Sequence, residues 1–150
     1  MRVFTPYVKA CPMRINYGRA IVAGAVATVV MTVVSVYVAP MMGMPKMNPA
    51  DMLAGQMGGS LFLGWMGHFM VGIVLAVIYA AVASRLPGPP ALRGAMYGIA
   101  PWMLAQVAVL PMMGMPAFSG SMMMAGGSLI GHVVYGAVVG AIYGMPAESV

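Results

Sequence analysis

The chain has 150 residues, 62% of them hydrophobic and 6% charged, with a formal net charge of +5. A soluble domain carries roughly a quarter charged residues, so too little charge is present to cover a water-facing surface, and a domain dissolved in lipid is expected. The basic excess lies mostly in the first residues and one short loop, which is not the distribution of a nucleic-acid groove, and the single Cys11 excludes an intrachain disulfide or a thiolate metal cluster.

Residues 1–17 read as a basic cytoplasmic tail, with Arg2, Lys9 and Arg14 beside Phe4, Tyr7 and Tyr17. Residues 18–150 read as one transmembrane domain. A spanning helix needs about 20 apolar residues, and four stretches qualify, at 20–39, 61–83, 94–110 and 123–143. The first is expected to be a retained helix and not a cleaved signal peptide, because its run is long and it has a counterpart in the second half. After it, Asn48, Pro49 and Asp51 carry helix-start chemistry, so a short helix is expected over 49–57. Trp65 belongs near the outer boundary of the second span. The third span contains Pro101, where a kink is expected, and Trp102, which is expected to pack. Residues 117–121 read as a looser connection into the fourth span. Continuously apolar runs without alternation argue against a β-barrel.

Basic residues set the orientation. Arg2, Lys9, Arg14 and Arg19 precede the first span, Arg85 and Arg93 flank the middle loop, and the other loops carry only Lys46 with Asp51. The positive-inside rule then puts both termini and loop 84–93 in the cytoplasm, in a multi-pass protein of a bacterial inner membrane.

The sequence repeats itself. Met41-Met42-Gly43-Met44-Pro45 returns as Met112-Met113-Gly114-Met115-Pro116, Gly-Gly-Ser occurs at 58–60 and 126–128, and the chain's two histidines follow glycine in Gly67-His68 and Gly131-His132. Repeat one covers about 18–84 and repeat two about 92–144. Each contains two spans, so both enter the membrane in the same direction. The expected fold is an all-α four-helix bundle of two parallel two-helix repeats, with a pseudo-twofold along the membrane normal.

Read at intervals of four, the second span presents Gly64, His68, Gly72 and Ala76, and the fourth presents Ser128, His132, Gly136 and Gly140. Small residues at this spacing let membrane helices approach closely, so these faces are helix-packing candidates and both histidines should point inward, at similar depth near the pseudo-dyad. Three readings of the pair stay open. The imidazoles hydrogen-bond across the bundle to Thr28, Thr32 or Gln106; they bind a metal; or they hold a haem between His68 and His132. Of 20 methionines, twelve lie in the outer segments: Met41, Met42, Met44, Met47, Met52, Met57, Met112, Met113, Met115, Met122, Met123 and Met124. Thioethers suit Cu(I), which makes Met41, Met42, Met44, Met112, Met113 and Met115 candidate ligands. They are also flexible apolar filler for turns. Aligned on Arg19 and Arg93, Thr32 matches Gln106. Asp51 and Glu148 are the only carboxylates and both fall outside the spans, so neither an enzyme nor an ion-coupled transporter is expected.

The doubled Met-Gly-Met-Pro, the Gly-His openings and the basic middle loop resemble a family of uncharacterised, small, four-span bacterial membrane proteins, over residues 19–144. The resemblance implies this topology and carries no activity, so no functional residue is taken from it. The expectation is a non-enzymatic accessory or assembly component of a membrane complex, whose partners are the lipid bilayer and other membrane subunits or itself. The alternatives are a Cu(I)-handling protein and a bis-histidine haem protein.

Overall fold

The computed structural model describes residues 15–144; most of the basic tail, Cys11 and Glu148 fall outside them. The described residues are mostly helical, and none of them forms a strand. Helices α1 (Tyr17–Met41), α3 (Leu61–Arg85), α4 (Pro90–Met112) and α5 (Met122–Tyr143) are each long and apolar enough to cross a membrane. A shorter helix, α2 (Pro49–Gln56), lies between α1 and α3.

Local chemistry sets these boundaries. The Asn16 side chain accepts the Arg19 N–H at 2.9 Å and starts α1 three residues before the apolar run. Asn48 accepts the Ala50 N–H at 3.1 Å, with Pro49 in the first turn, as its sequence predicts. Ser60 and Ser121 cap α3 and α5 through Leu63 and Met124. At the far end of α5, Arg19 Nε donates to the Ile142 carbonyl at 2.8 Å, a cation at a helix C-terminus.

Both α1 and α4 widen into a π-helical turn near their C-terminal ends, at Val34–Val38 and Ala105–Val109. Proline explains both. Pro40 and Pro111 offer no N–H to the carbonyls of Val36 and Val107, and each ring would press on that carbonyl in a regular helix. Widening lets Ala39 N–H reach Val34 and Leu110 N–H reach Ala105 instead. Pro101, by contrast, sits within the α-helical part of α4, and the ladder changes only from Ala105.

The repeated motif then ends each helix. Gly43 and Gly114 have φ of +81° and +77°, a region open to glycine. Gly43 N–H donates to Pro40 and Met44 N–H to Ala39; Gly114 donates to Pro111 and Met115 to Leu110, all at 2.9–3.1 Å. This is the Schellman pattern, with proline next to prevent continuation. The glycine and the proline of Met-Gly-Met-Pro are thereby explained as a helix stop. The two Gly-Gly-Ser segments, however, differ in structure. Gly58 and Gly59 take positive φ after α2, whereas Gly126 and Gly127 lie inside α5.

Helix α1 packs on α3 and on α5, α4 packs on α5, and α2 covers the start of α3. The small residues make these contacts. A Cβ on Gly136 would run into the Gly94 carbonyl, and one on Gly140 into that of Pro90. Gly24 sits 2.9 Å from the Gly72 carbonyl in the same construction, Gly72 faces Thr28, and Gly64 faces Ala50 and Ala54 of α2. Ala76 is fully buried beside Ala20, Ala23 and Ala27 in the central core. Gly64, Gly72, Ala76, Gly136 and Gly140 lie at these contacts, while Ser128 accepts a hydrogen bond from Gln106.

Candidate functional site

A twofold relating the repeats would make the α1–α5 seam equivalent to an α3–α4 seam. The first is closed: Gly131 lies against Ser35 and Met31, and Met31, Tyr135, Val139 and Tyr143 share one core cluster. The second is close only at the end nearer the 84–93 loop. There Tyr79 and Tyr97 meet edge-on at 5.3 Å, and Tyr97 O–H donates to the Leu75 carbonyl at 2.8 Å. Further out α3 and α4 diverge, and the gap is a cavity of about 280 Å³. Tyr135 O–H, donating to the Gly72 carbonyl, supports it from α5.

Both histidines line this cavity. His68 is buried, and its Nε2 is 3.0 Å from Thr32 Oγ1. The single Thr32 hydroxyl proton is engaged with the Thr28 carbonyl at 2.8 Å. Thr32 therefore accepts, His68 carries its proton on Nε2, and Nδ1 keeps a lone pair. His132 Nδ1 is 2.8 Å from the Ser128 carbonyl. A carbonyl only accepts, so His132 carries its proton on Nδ1 and Nε2 keeps the lone pair. Of the three partners the sequence offered, Thr32 is the one His68 uses. Gln106 instead bridges the outer loop and α5, accepting from Ser119 at 3.3 Å and donating to Ser128 Oγ at 3.3 Å.

The loop that Gln106 holds is strained. Phe118 and Ser119 have φ of +54° and +58°, which costs a non-glycine residue about 1–2 kcal/mol each. Phe118 is fixed edge-on against Trp102, whose Nε1–H donates to the Ala125 carbonyl at 3.0 Å. Trp102 thus packs toward the outer loop. In the first half the corresponding hold is a backbone one. The π-turn frees the Ser35 carbonyl, which accepts the Met47 N–H at 3.4 Å.

The candidate methionines divide. Met44 and Met113 line the cavity, together with Met31, Met47, Met123 and Met124. Met41, Met42 and Met112 are 87%, 64% and 86% exposed and form a rim beyond the cavity wall. Met115 is half-buried and outside the cavity wall. Among the described residues no three His, Cys, Asp or Glu side chains come together, so a metal with three side-chain ligands beside the two histidines would take a thioether as the third. A haem between the histidines would need room for a flat ring beside Gly72, Gly136 and Gly140, and that room is filled by the helices α1 and α4. Ser35, Met31 and Tyr135 are wall residues that the sequence reading did not single out.

Residues 15–149 match the family described as a family of unknown function, DUF6789. No curated protein and no solved structure matches the chain.

Proposed function

The chain belongs to the DUF6789 family, and from that membership and the geometry above we propose that it is a non-enzymatic integral protein of the bacterial inner membrane, serving as an accessory or assembly component of a larger membrane complex. Its termini and the 84–93 loop lie in the cytoplasm, and the Met-Gly-Met-Pro stops face outward. The basic residues around α1 and between α3 and α4 support that orientation.

One observation carries the reading: the methionines divide between a cavity and a rim. Met41 and Met112 occupy the same place in the two helix stops and, among the described residues, are the most exposed large apolar side chains, at 87% and 86%. Thioethers are apolar, unbranched and adaptable, and they recur on surfaces that bind irregular protein partners. An exposed apolar rim of this kind marks an interaction surface.

Photo-crosslinking amino acids at Met41 and Met112 in native membranes test it. Both positions are expected to give one discrete higher-mass product, with none from Val26 or Ile78 on the lipid-facing sides of α1 and α3. Products of equal yield at all four positions, or at none, would overturn the proposal. A product of twice the chain mass identifies the partner as a second copy.

A further inference from the structure

We propose that the cavity between α3 and α4 is a Cu(I) site, with His68 Nδ1, His132 Nε2 and the Met44 thioether as ligands. This goes beyond the accessory role and does not depend on it.

The argument starts from the two rings. Each has one nitrogen tied to α-helical framework, His68 through Thr32 on α1 and His132 through the carbonyl one turn earlier on α5. That is the arrangement by which metal-binding histidines are oriented, one N–H donated to a fixed acceptor and the other nitrogen left for the ligand. Neither remaining nitrogen has a protein partner. Yet the only sealed, unpartnered side-chain N or O among the described residues is Arg93 Nε. The two lone pairs therefore keep accessible surface, and both residues line the same cavity.

The third ligand comes from the helix stop. Met44 follows the left-handed Gly43, which turns it back toward α5. Its sulfur lies 3.0 Å from where a Cβ on Gly127 would be, beside the turn that carries Ser128 and His132. Met113 reaches the same cavity from the other half and is a further thioether within it.

The donor set selects the ion. Two neutral imidazoles and thioethers supply no negative charge, and no Asp, Glu or Cys lines the cavity. Burying an uncompensated divalent ion in apolar surroundings is prohibitive. A soft monovalent cation pays least for desolvation and bonds best to thioether sulfur. Neither ligand type loses a proton on binding, unlike a cysteine thiol.

The protein in lipid nanodiscs at pH 8, loaded anaerobically with Cu(I) against a chromophoric Cu(I) chelator, tests this. One Cu(I) per chain is expected, with nitrogen and sulfur both present in the X-ray absorption first shell and no proton release by titration in two buffers. H68A, H132A and M44L should each lower affinity at least 10-fold. M41L with M112L, on the rim, should leave it unchanged. Thr32 is a positioning residue: T32V should weaken binding about 10–100-fold, and T32S should restore it. The T32V/T32S pair guards against misfolding: T32V exchanges the hydroxyl for a methyl of similar size, whereas T32S loses the methyl and keeps the hydroxyl. No Cu(I) bound, a sulfur-only shell, or loss on the rim variant instead of the cavity variants would overturn the site. Because no partner is present, these results are independent of the crosslinking outcome.

Discussion

The two seams between the hairpins differ in kind. Along α1–α5, alanine and glycine bring the helices into contact, and Met31, Tyr135, Val139 and Tyr143 fill what remains. Along α3–α4, tyrosine closes the inner end and the outer end is left open, with imidazole, amide and thioether groups in its walls. A symmetric duplication would have closed both or opened both. The difference teaches that one seam carries the close packing while the other stays open as a cavity. In a membrane the closed seam is needed, because lipid supplies no hydrophobic drive for helix association and contact must come from close packing.

Substitutions can break that contrast or sharpen it. The largest effect is expected from Gly131→Leu on the closed seam, where the new side chain meets Ser35 and Met31. A loss of about 2–3 kcal/mol follows from overpacking, read by unfolding in detergent. Val71→Leu, on the cavity wall and 47% exposed, should stay within about 0.5 kcal/mol. Equal losses would mean that the seams are packed alike.

A smaller effect comes from Tyr97→Phe, which removes the hydroxyl bond that crosses from α4 to Leu75 on α3. About 0.6–1.7 kcal/mol should be lost, and hydrogen exchange should rise at the inner ends of α3 and α4 but not along α1. Protection lost uniformly over all four helices would refute a local role.

The smallest effects have opposite signs in the two halves. Gly126→Ala, inside α5 with open space around it, should stabilise by about 0.5–1 kcal/mol. Gly58→Ala, at φ +66°, should destabilise by about 1 kcal/mol. Matching signs from thermal unfolding would show that the two Gly-Gly-Ser segments share one structure.

Much of the fold was legible because its signals are local. Apolar run length marks α1, α3, α4 and α5, and Asn48-Pro49 marks α2. The Gly72/Ala76 and Gly136/Gly140 spacing marks which helix faces touch. The site was less legible because it depends on which faces stay apart. Periodicity places His68 and His132 inward, but both seams look equally small-residue-rich, so the sequence carries no sign of which one opens. The π-turns did leave a trace. Ser35 and Gln106 each stand five residues before a proline, in Pro40 and Pro111. Counted from the prolines, Gln106 pairs with Ser35; counted from Arg19 and Arg93, it pairs with Thr32. The three-residue discrepancy between those alignments is where regular helical spacing gave no guidance to the wall of the cavity.

The widened turn at Val34–Val38 fixes the phase of everything that follows it. A π-turn holds one residue more than an α-helix of the same rise, and each residue turns a helix by about 100°. Closing that turn into a regular α-helix with no residue removed would rotate everything beyond it by about that angle, and Pro40 stands against the closure. Met44 would leave the cavity, Met41 would turn with it, and the Ser35 carbonyl would lose its hold on Met47. Which thioethers line the cavity and which stay exposed is thus a matter of phase, held by a single extra residue.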